Sequence, residues 1–187
     1  MTRQLKELSQ QSNASLFMVL LAAFKILLAR HTGQYDLVIG TPIAGRQNTK
    51  FENLIGLFIN TLVVRSDLDG NPDYSEVLRR VKHAALDAYA HQDFPFEKLV
   101  EELKPDRDTS YSPIFQVMFS LQNSTAAQTG FGELNSEPVL FEFGTAKFDL
   151  TLAVEDTGNE VSAYFEYNTD LFSSATIETL ANHWHRL

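Results

Sequence analysis

Between Phe148 and Tyr167 the chain alternates apolar and polar residues twice over. Phe148, Leu150, Leu152 and Val154 interleave with polar or small residues, and Val161, Ala163, Phe165 and Tyr167 repeat the pattern after Asp156-Thr157-Gly158-Asn159. A period of two on both sides of a turn-forming tetrapeptide predicts an antiparallel hairpin with one buried face. A slip of one residue would turn every apolar side chain to water, so the register is strongly specified. A buried sheet face also needs a covering layer, which restricts the chain to a layered fold.

The covering layer is legible upstream. Leu16, Leu20, Phe24 and Leu28 recur at four-residue spacing with Phe17 and Leu21 beside them, which predicts a helix over 15–31. Ser15 is placed to cap it and Gly33 to end it in a left-handed turn. A second helix is expected over 74–91, opened by a capping box of Asp73 and Glu76, with Val77, Val81, Ala84, Ala85 and Ala88 as its buried stripe. Pro95 opens a short helix over 96–103 that Pro105 ends, and Ser173 or Ser174 starts a last one with Ile177, Leu180 and Trp184 on one side. Strands are expected over 36–43, with pairing ending at Pro42, over 55–65 and over 114–121; the segments 45–50 and 123–137 read as loops. The whole reads as one α/β (α+β) layered structure without internal repeats, and its pattern is cut off at both ends.

Composition excludes several function classes. A net charge of −9 disfavours a general phosphate-backbone binder, although a local basic patch is compatible with it. The absence of cysteine removes disulfides, thiolate metal sites and cysteine nucleophiles. The most apolar run, Leu16 to Ala29, is broken by Lys25 and falls short of the ~20 residues that span a bilayer. A soluble, cytoplasmic chain with no membrane or nucleic-acid partner is the expectation.

Few residues announce chemistry. His83 and Asp87 fit an HxxxD skeleton, but they lie one helical turn apart and read as a surface pair. His91-Gln92-Asp93 offers a base beside a carboxylate, although Asp93 is equally well placed to cap the helix after Pro95. Gly56 marks a bulge or a close approach, and Asn60 and Thr61, if buried, require hydrogen-bond partners. Arg107-Asp108 reads as a local ion pair. The rings of His183 and His185 point apart on a helix, so no metal site is expected there without other ligands. No phosphate-binding glycine motif occurs, so nucleotide binding has no support.

Three blocks occur in order: Ile55-Gly56-Leu57-Phe58-Ile59-Asn60-Thr61-Leu62-Val63-Val64-Arg65, His91-Gln92-Asp93-Phe94-Pro95-Phe96-Glu97 and Arg107-Asp108-Thr109-Ser110-Tyr111-Ser112-Pro113. Together they resemble the later core motifs of condensation domains from non-ribosomal peptide synthetases. The likeness extends from Ser15 to Trp184 through the segments 38–46, 115–123, 147–150 and 164–172. The segment 115–123 is more similar to peptide-bond-forming members than to the epimerisation branch. The family's catalytic string HHxxxDG is missing from these 187 residues.

The resemblance implies a C-terminal, chloramphenicol acetyltransferase-like lobe, a mixed sheet packed with helices, whose N-terminal partner lobe carries the catalytic His. In such enzymes a tunnel between the lobes admits a phosphopantetheine arm from each side. The implied partners are carrier protein domains, the N-terminal lobe and an adjacent adenylation domain. No cofactor or metal is expected to bind this chain directly. The candidates for tunnel-facing polar residues are Thr41, Asn60, His91, Gln92 and Ser120, and the region between Ser120 and Leu150 is the candidate crossing to the other lobe. The isolated chain is expected to be inactive and to expose an apolar face. The alternative is a catalytically silent module of the same fold that docks carrier proteins or recruits a partner enzyme.

Overall fold

The computed structural model describes all residues except 47, 48, 53, 106–110 and 124–143. Its elements run α1 (Thr2–Gln11), α2 (Leu16–Thr32), β1 (Asp36–Ile43), α3 (Thr49–Glu52), β2 (Asn60–Asp67), α4 (Tyr74–Ala90), α5 (Phe96–Leu103), β3 (Val117–Asn123), β4 (Leu150–Asp156), β5 (Val161–Tyr167) and α6 (Ser174–Arg186). Five strands form one sheet in the order β2-β1-β3-β4-β5. The central pairs β1–β3 and β3–β4 are parallel, and the outer pairs β1–β2 and β4–β5 are antiparallel. This is the mixed sheet with helices that the sequence implies. The β4–β5 hairpin sets Leu152 opposite Phe165 and Val154 opposite Ala163, as its alternation requires.

The buried core lies on one face of the sheet. Leu37 and Ile39, Val64, Phe119, and Leu150, Leu152 and Val154 meet α2, α4 and α6 there. Helix α2 is apolar nearly all round because it is buried on most sides, as a core helix must be. Ser15 Oγ accepts from Met18 N, and Gly33 closes the helix at φ 71°. The second face carries Val38, Gly40 and Pro42 of β1, Met118 and Ser120 of β3, and Ala153 of β4, by the period-two geometry of paired strands. It is open at β5, where Tyr164 is 63% exposed.

Several expected boundaries shift for identifiable reasons. The run 55–65 becomes a strand only from Asn60, because Ile55, Leu57 and Ile59 point to solvent and find no ladder. Pairing does not end at Pro42. The β2 ladder continues past it to Ile43 opposite Asn60, since an antiparallel ladder asks for alternate N–H groups only. Asp73 caps α4, but the other half of the expected box is replaced: the Glu76 carboxylate is bound by Arg79 and Arg80. The cap residue of α5 is Pro95, not Asp93. The strand expected over 114–121 starts at Val117, because Ile114 sits at φ 72° in a tight turn closed by Phe115 N donating to Pro113 O. A short helix, α3, interrupts the segment read as a loop. Arg107-Asp108, most of the loop 123–137 and most of the expected crossing between Ser120 and Leu150 lie outside the described residues.

Among the described residues no single helix is long and apolar enough to cross a membrane, and no group of three or more His, Asp or Glu side chains gathers in metal-binding geometry. His183 does meet a second histidine, His31 of α2, at 3.0 Å between ring nitrogens. The ring centres are 5.2 Å apart. That is close to the span of two rings meeting end to end, so the nitrogens face each other in a hydrogen bond rather than converge on a shared ion.

Candidate functional site

The corner between α4 and α5 brings three of the five candidates together. Asn60, the first residue of β2, reaches across to this corner with its side-chain amide. Its Nδ2 donates to Gln92 O and Phe94 O, each at 2.9 Å. Its Oδ1 accepts from Phe96 N at 3.1 Å and from Thr61 N at 2.9 Å. His91 ends α4, and its Nδ1 lies 2.9 Å from Asp87 O, one turn back in the same helix. Gln92 is half-buried and His91 exposed.

Thr41 and Ser120 stand apart from that corner and from each other. Thr41 shares the face of Leu37 and Ile39 and is buried. It lines a cleft of about 370 Å³ with Leu16, Phe17, Tyr89, Leu121 and Asn123. Ser120 lies on the second face of the sheet, opposite Ala153. The five residues therefore occupy three places around the sheet and do not converge on one point.

The connection from β1 to β2 is braced from inside. The Arg46 guanidinium lies 4.3 Å over the Phe58 ring and donates to Phe51 O and Gly56 O. The Phe51 and Phe58 rings stack 5.8 Å apart. Gly45 is required here: it has φ 63°, and a Cβ would stand 1.8 Å from Phe58 O. With Phe58 turned inward, Leu54, Ile55, Leu57 and Ile59 form an outward apolar ridge, Ile55 fully exposed and Leu57 88% exposed.

A second fixture lies beneath β1. Phe115 is buried with its ring against Gly40, where an added Cβ would approach within 2.3 Å. Phe96 and Phe148 pack on the same ring, with centres 5.5 and 5.3 Å away. The glycine in β1 is thus the slot for an aromatic ring, and the ring connects β1 to the start of α5.

Lys25 is the buried group that sequence reasoning passed over. It is fully buried in α2, and its Nζ donates to Leu37 O at 3.1 Å, Val64 O at 2.7 Å and Ser66 Oγ at 3.0 Å. Burial pushes its pKa down to about 7, against a smaller upward pull from Asp36. Three acceptors match the three hydrogens of an ammonium. The signal in the sequence was a single cation inside an otherwise apolar helix, where only a set of buried acceptors makes it tolerable. By contrast, His83 and Asp87 form the exposed surface pair expected of them, 2.9 Å apart.

The condensation domain family matches residues 1–187. A linear gramicidin synthase polypeptide of Brevibacillus parabrevis is 51% identical over 187 residues, which are 98% of this chain and 2% of that protein. Two solved structures share the fold. One is the four-domain nonribosomal peptide synthetase AB3403 bound to AMP and glycine, with a TM-score of 0.86 and 27% identity, covering 97% of this chain and 15% of that one. The other is the X-domain from teicoplanin biosynthesis in complex with OxyB, with a TM-score of 0.82 and 29% identity, covering 97% and 41%. The chain therefore spans less than half the length of each of these proteins. With the family matched along its whole length and its fold shared with these domains, the chain belongs to the condensation domain family.

Proposed function

We propose that this chain is the C-terminal lobe of a condensation domain in a cytoplasmic non-ribosomal peptide synthetase. The observation that carries the reading is a family match over residues 1–187 in a sequence that contains no HHxxxDG. In the complete domain the amine of an acceptor aminoacyl thioester attacks the carbonyl of a donor acyl or peptidyl thioester. The C–N bond forms, the C–S bond breaks, and the amine's proton is passed on as the donor thiol leaves. The base comes from the other lobe. Carrier proteins, with the adenylation domain that loads them, deliver both substrates.

What this lobe contributes is position. Holding two tethered reactants in line is worth up to about 7–11 kcal/mol in well-oriented cases. The cleft at Thr41 has the size of a small-ligand site and mixes the polar groups of Thr41, Tyr89 and Asn123 with Leu16, Phe17 and Leu121. That lining suits a phosphopantetheine arm, which alternates amides with short apolar links. The α4–α5 corner, with His91 and Gln92, and Ser120 on the second sheet face are the other groups assigned to the tunnel walls.

The ridge at Leu54, Ile55, Leu57 and Ile59 fits a surface buried against the N-terminal lobe. The isolated chain is expected to self-associate and to bind an apolar dye. A double substitution, Ile55→Asp with Leu57→Asp, is expected to leave it monodisperse in sedimentation velocity. A monodisperse wild-type chain that binds no dye would count against the ridge as a lobe contact.

The decisive experiment measures single-turnover amide formation between two loaded carrier proteins, first with this chain alone and then with an HHxxxDG-bearing N-terminal lobe added. Product only after the addition supports a lobe that lacks the base. Product from this chain alone would overturn that reading. Carrier binding without product in either case favours the silent docking module, a reading supported by the likeness to an X-domain solved in complex with OxyB.

A further inference from the structure

We propose that Asn60 is a positioning residue: it fixes the α4–α5 corner through backbone atoms and makes no contact with substrate. The proposal rests on the reading above that this corner borders the tunnel. A side-chain amide has two N–H donors and an oxygen with two lone pairs. In Asn60 all four are used within the protein, on Gln92 O, Phe94 O, Phe96 N and Thr61 N. Nothing is left over to hold a ligand.

The local sequence explains why an outside group is needed. The cap residue of α5 is Pro95, whose side chain carries no oxygen, so the first amide of the helix needs an acceptor from elsewhere. Asn60 supplies it from β2. The same amide group holds the carbonyls of Gln92 and Phe94, two residues apart, which fixes the turn that carries His91 and Gln92. No other short side chain does both jobs. An aspartate offers the acceptors but has no donor, and places charge against two carbonyls; a serine or threonine has one donor. The latch then extends inward, since Phe96 packs on Phe115 and Phe115 fills the slot at Gly40.

The test separates local loosening from general destabilisation. Amide hydrogen exchange in the 187-residue chain is measured for wild type, Asn60→Ala, Asn60→Asp and Leu180→Ala, the last a core truncation in α6. In Asn60→Ala, Phe96, whose amide loses its acceptor, and Phe94, whose amide closes the turn by donating to His91 O while Asn60 holds its carbonyl, are expected to exchange about tenfold faster relative to Val64. Asn60→Asp is expected to restore protection at Phe96, which needs only the acceptor, and to leave Phe94 fast. Leu180→Ala should not speed Phe96 and Phe94 relative to Val64, because a global loss of stability acts at least as strongly on the buried strand amide. Equal shifts in Asn60→Ala and Leu180→Ala would overturn the latch.

A second arm adds the HHxxxDG-bearing lobe and follows single-turnover amide formation. A rate constant that falls about tenfold in Asn60→Ala and recovers partly in Asn60→Asp, with the affinity for loaded carriers unchanged, supports the positioning role. Faster local exchange with an unchanged rate would overturn it. If the wild-type pair forms no product, the functional reading fails, and the exchange data alone decide whether the latch exists.

Discussion

Replacing Lys25 by methionine is expected to lower the unfolding free energy by about 2–4 kcal/mol at neutral pH, read from the urea midpoint at constant slope. Methionine keeps most of the side-chain volume in α2, so the loss does not come from a cavity. It comes from Leu37 O, Val64 O and Ser66 Oγ, which lose a common donor in a site closed to water. Relief from burying a cation offsets part of the cost, which keeps the figure below the sum of three orphaned groups.

The same site shapes the pH dependence. Folding holds the pKa of Lys25 near 7, against 10.5 in the unfolded chain. Below about pH 7 both states carry the proton and this group contributes no slope. Between about 7 and 10.5 the unfolded chain binds more protons, so wild-type stability is expected to rise with pH, by at most about 1.4 kcal/mol per pH unit. Tyr74, whose burial pushes its phenol up to about 12, opposes that rise above about pH 10. Lys25→Met should flatten the limb between 7 and 10. A wild-type curve that is already flat there would show the ammonium fully stabilised by its three acceptors.

Phe115→Ala is expected to cost about 3–5 kcal/mol, the range for removing a fully buried aromatic ring. Gly40→Ala should cost about 1–3 kcal/mol, because the new methyl displaces that ring from its slot. The informative variant combines them. With Phe115 reduced to alanine the space over Gly40 is vacant, and adding Gly40→Ala is expected to cost less than about 0.5 kcal/mol more. A double-mutant cycle in thermal or urea unfolding reads that coupling directly. Simple additivity would mean that Gly40 and Phe115 do not meet as described.

Local order carried most of the legible fold. The hairpin and the helices α2 and α4 each announce themselves within one continuous segment, through period, cap and turn residues. The parts that escaped depend on partners far along the chain. Nothing near Lys25 in sequence names Leu37, Val64 or Ser66 as its acceptors. Asp93 looked like the cap of α5 because it stands beside the helix, whereas the amide of Phe96 turns to Asn60 on another strand. Ile55, Leu57 and Ile59 have strand-forming side chains, yet their exposure, which no propensity records, left them outside the ladder. The candidate site divides the same way. Polar residues inside apolar motifs were readable as candidates, but which face of the sheet Thr41 and Ser120 occupy follows only from register.

The sheet order also has a kinetic consequence. Its two antiparallel pairs, β1 with β2 and β4 with β5, each join segments that lie near one another in the chain. Of the two parallel pairs, β1–β3 is the more distant: it must bring Gly40 to Met118 across the whole of α3, β2, α4 and α5. Closing that long loop costs entropy before any contact at the seam repays it. The topology therefore favours a route in which two preformed half-sheets are zipped together by β3. Gly40 and Phe115 stand at that zipper, so a methyl added at Gly40 is expected to slow closure as well as to lower stability.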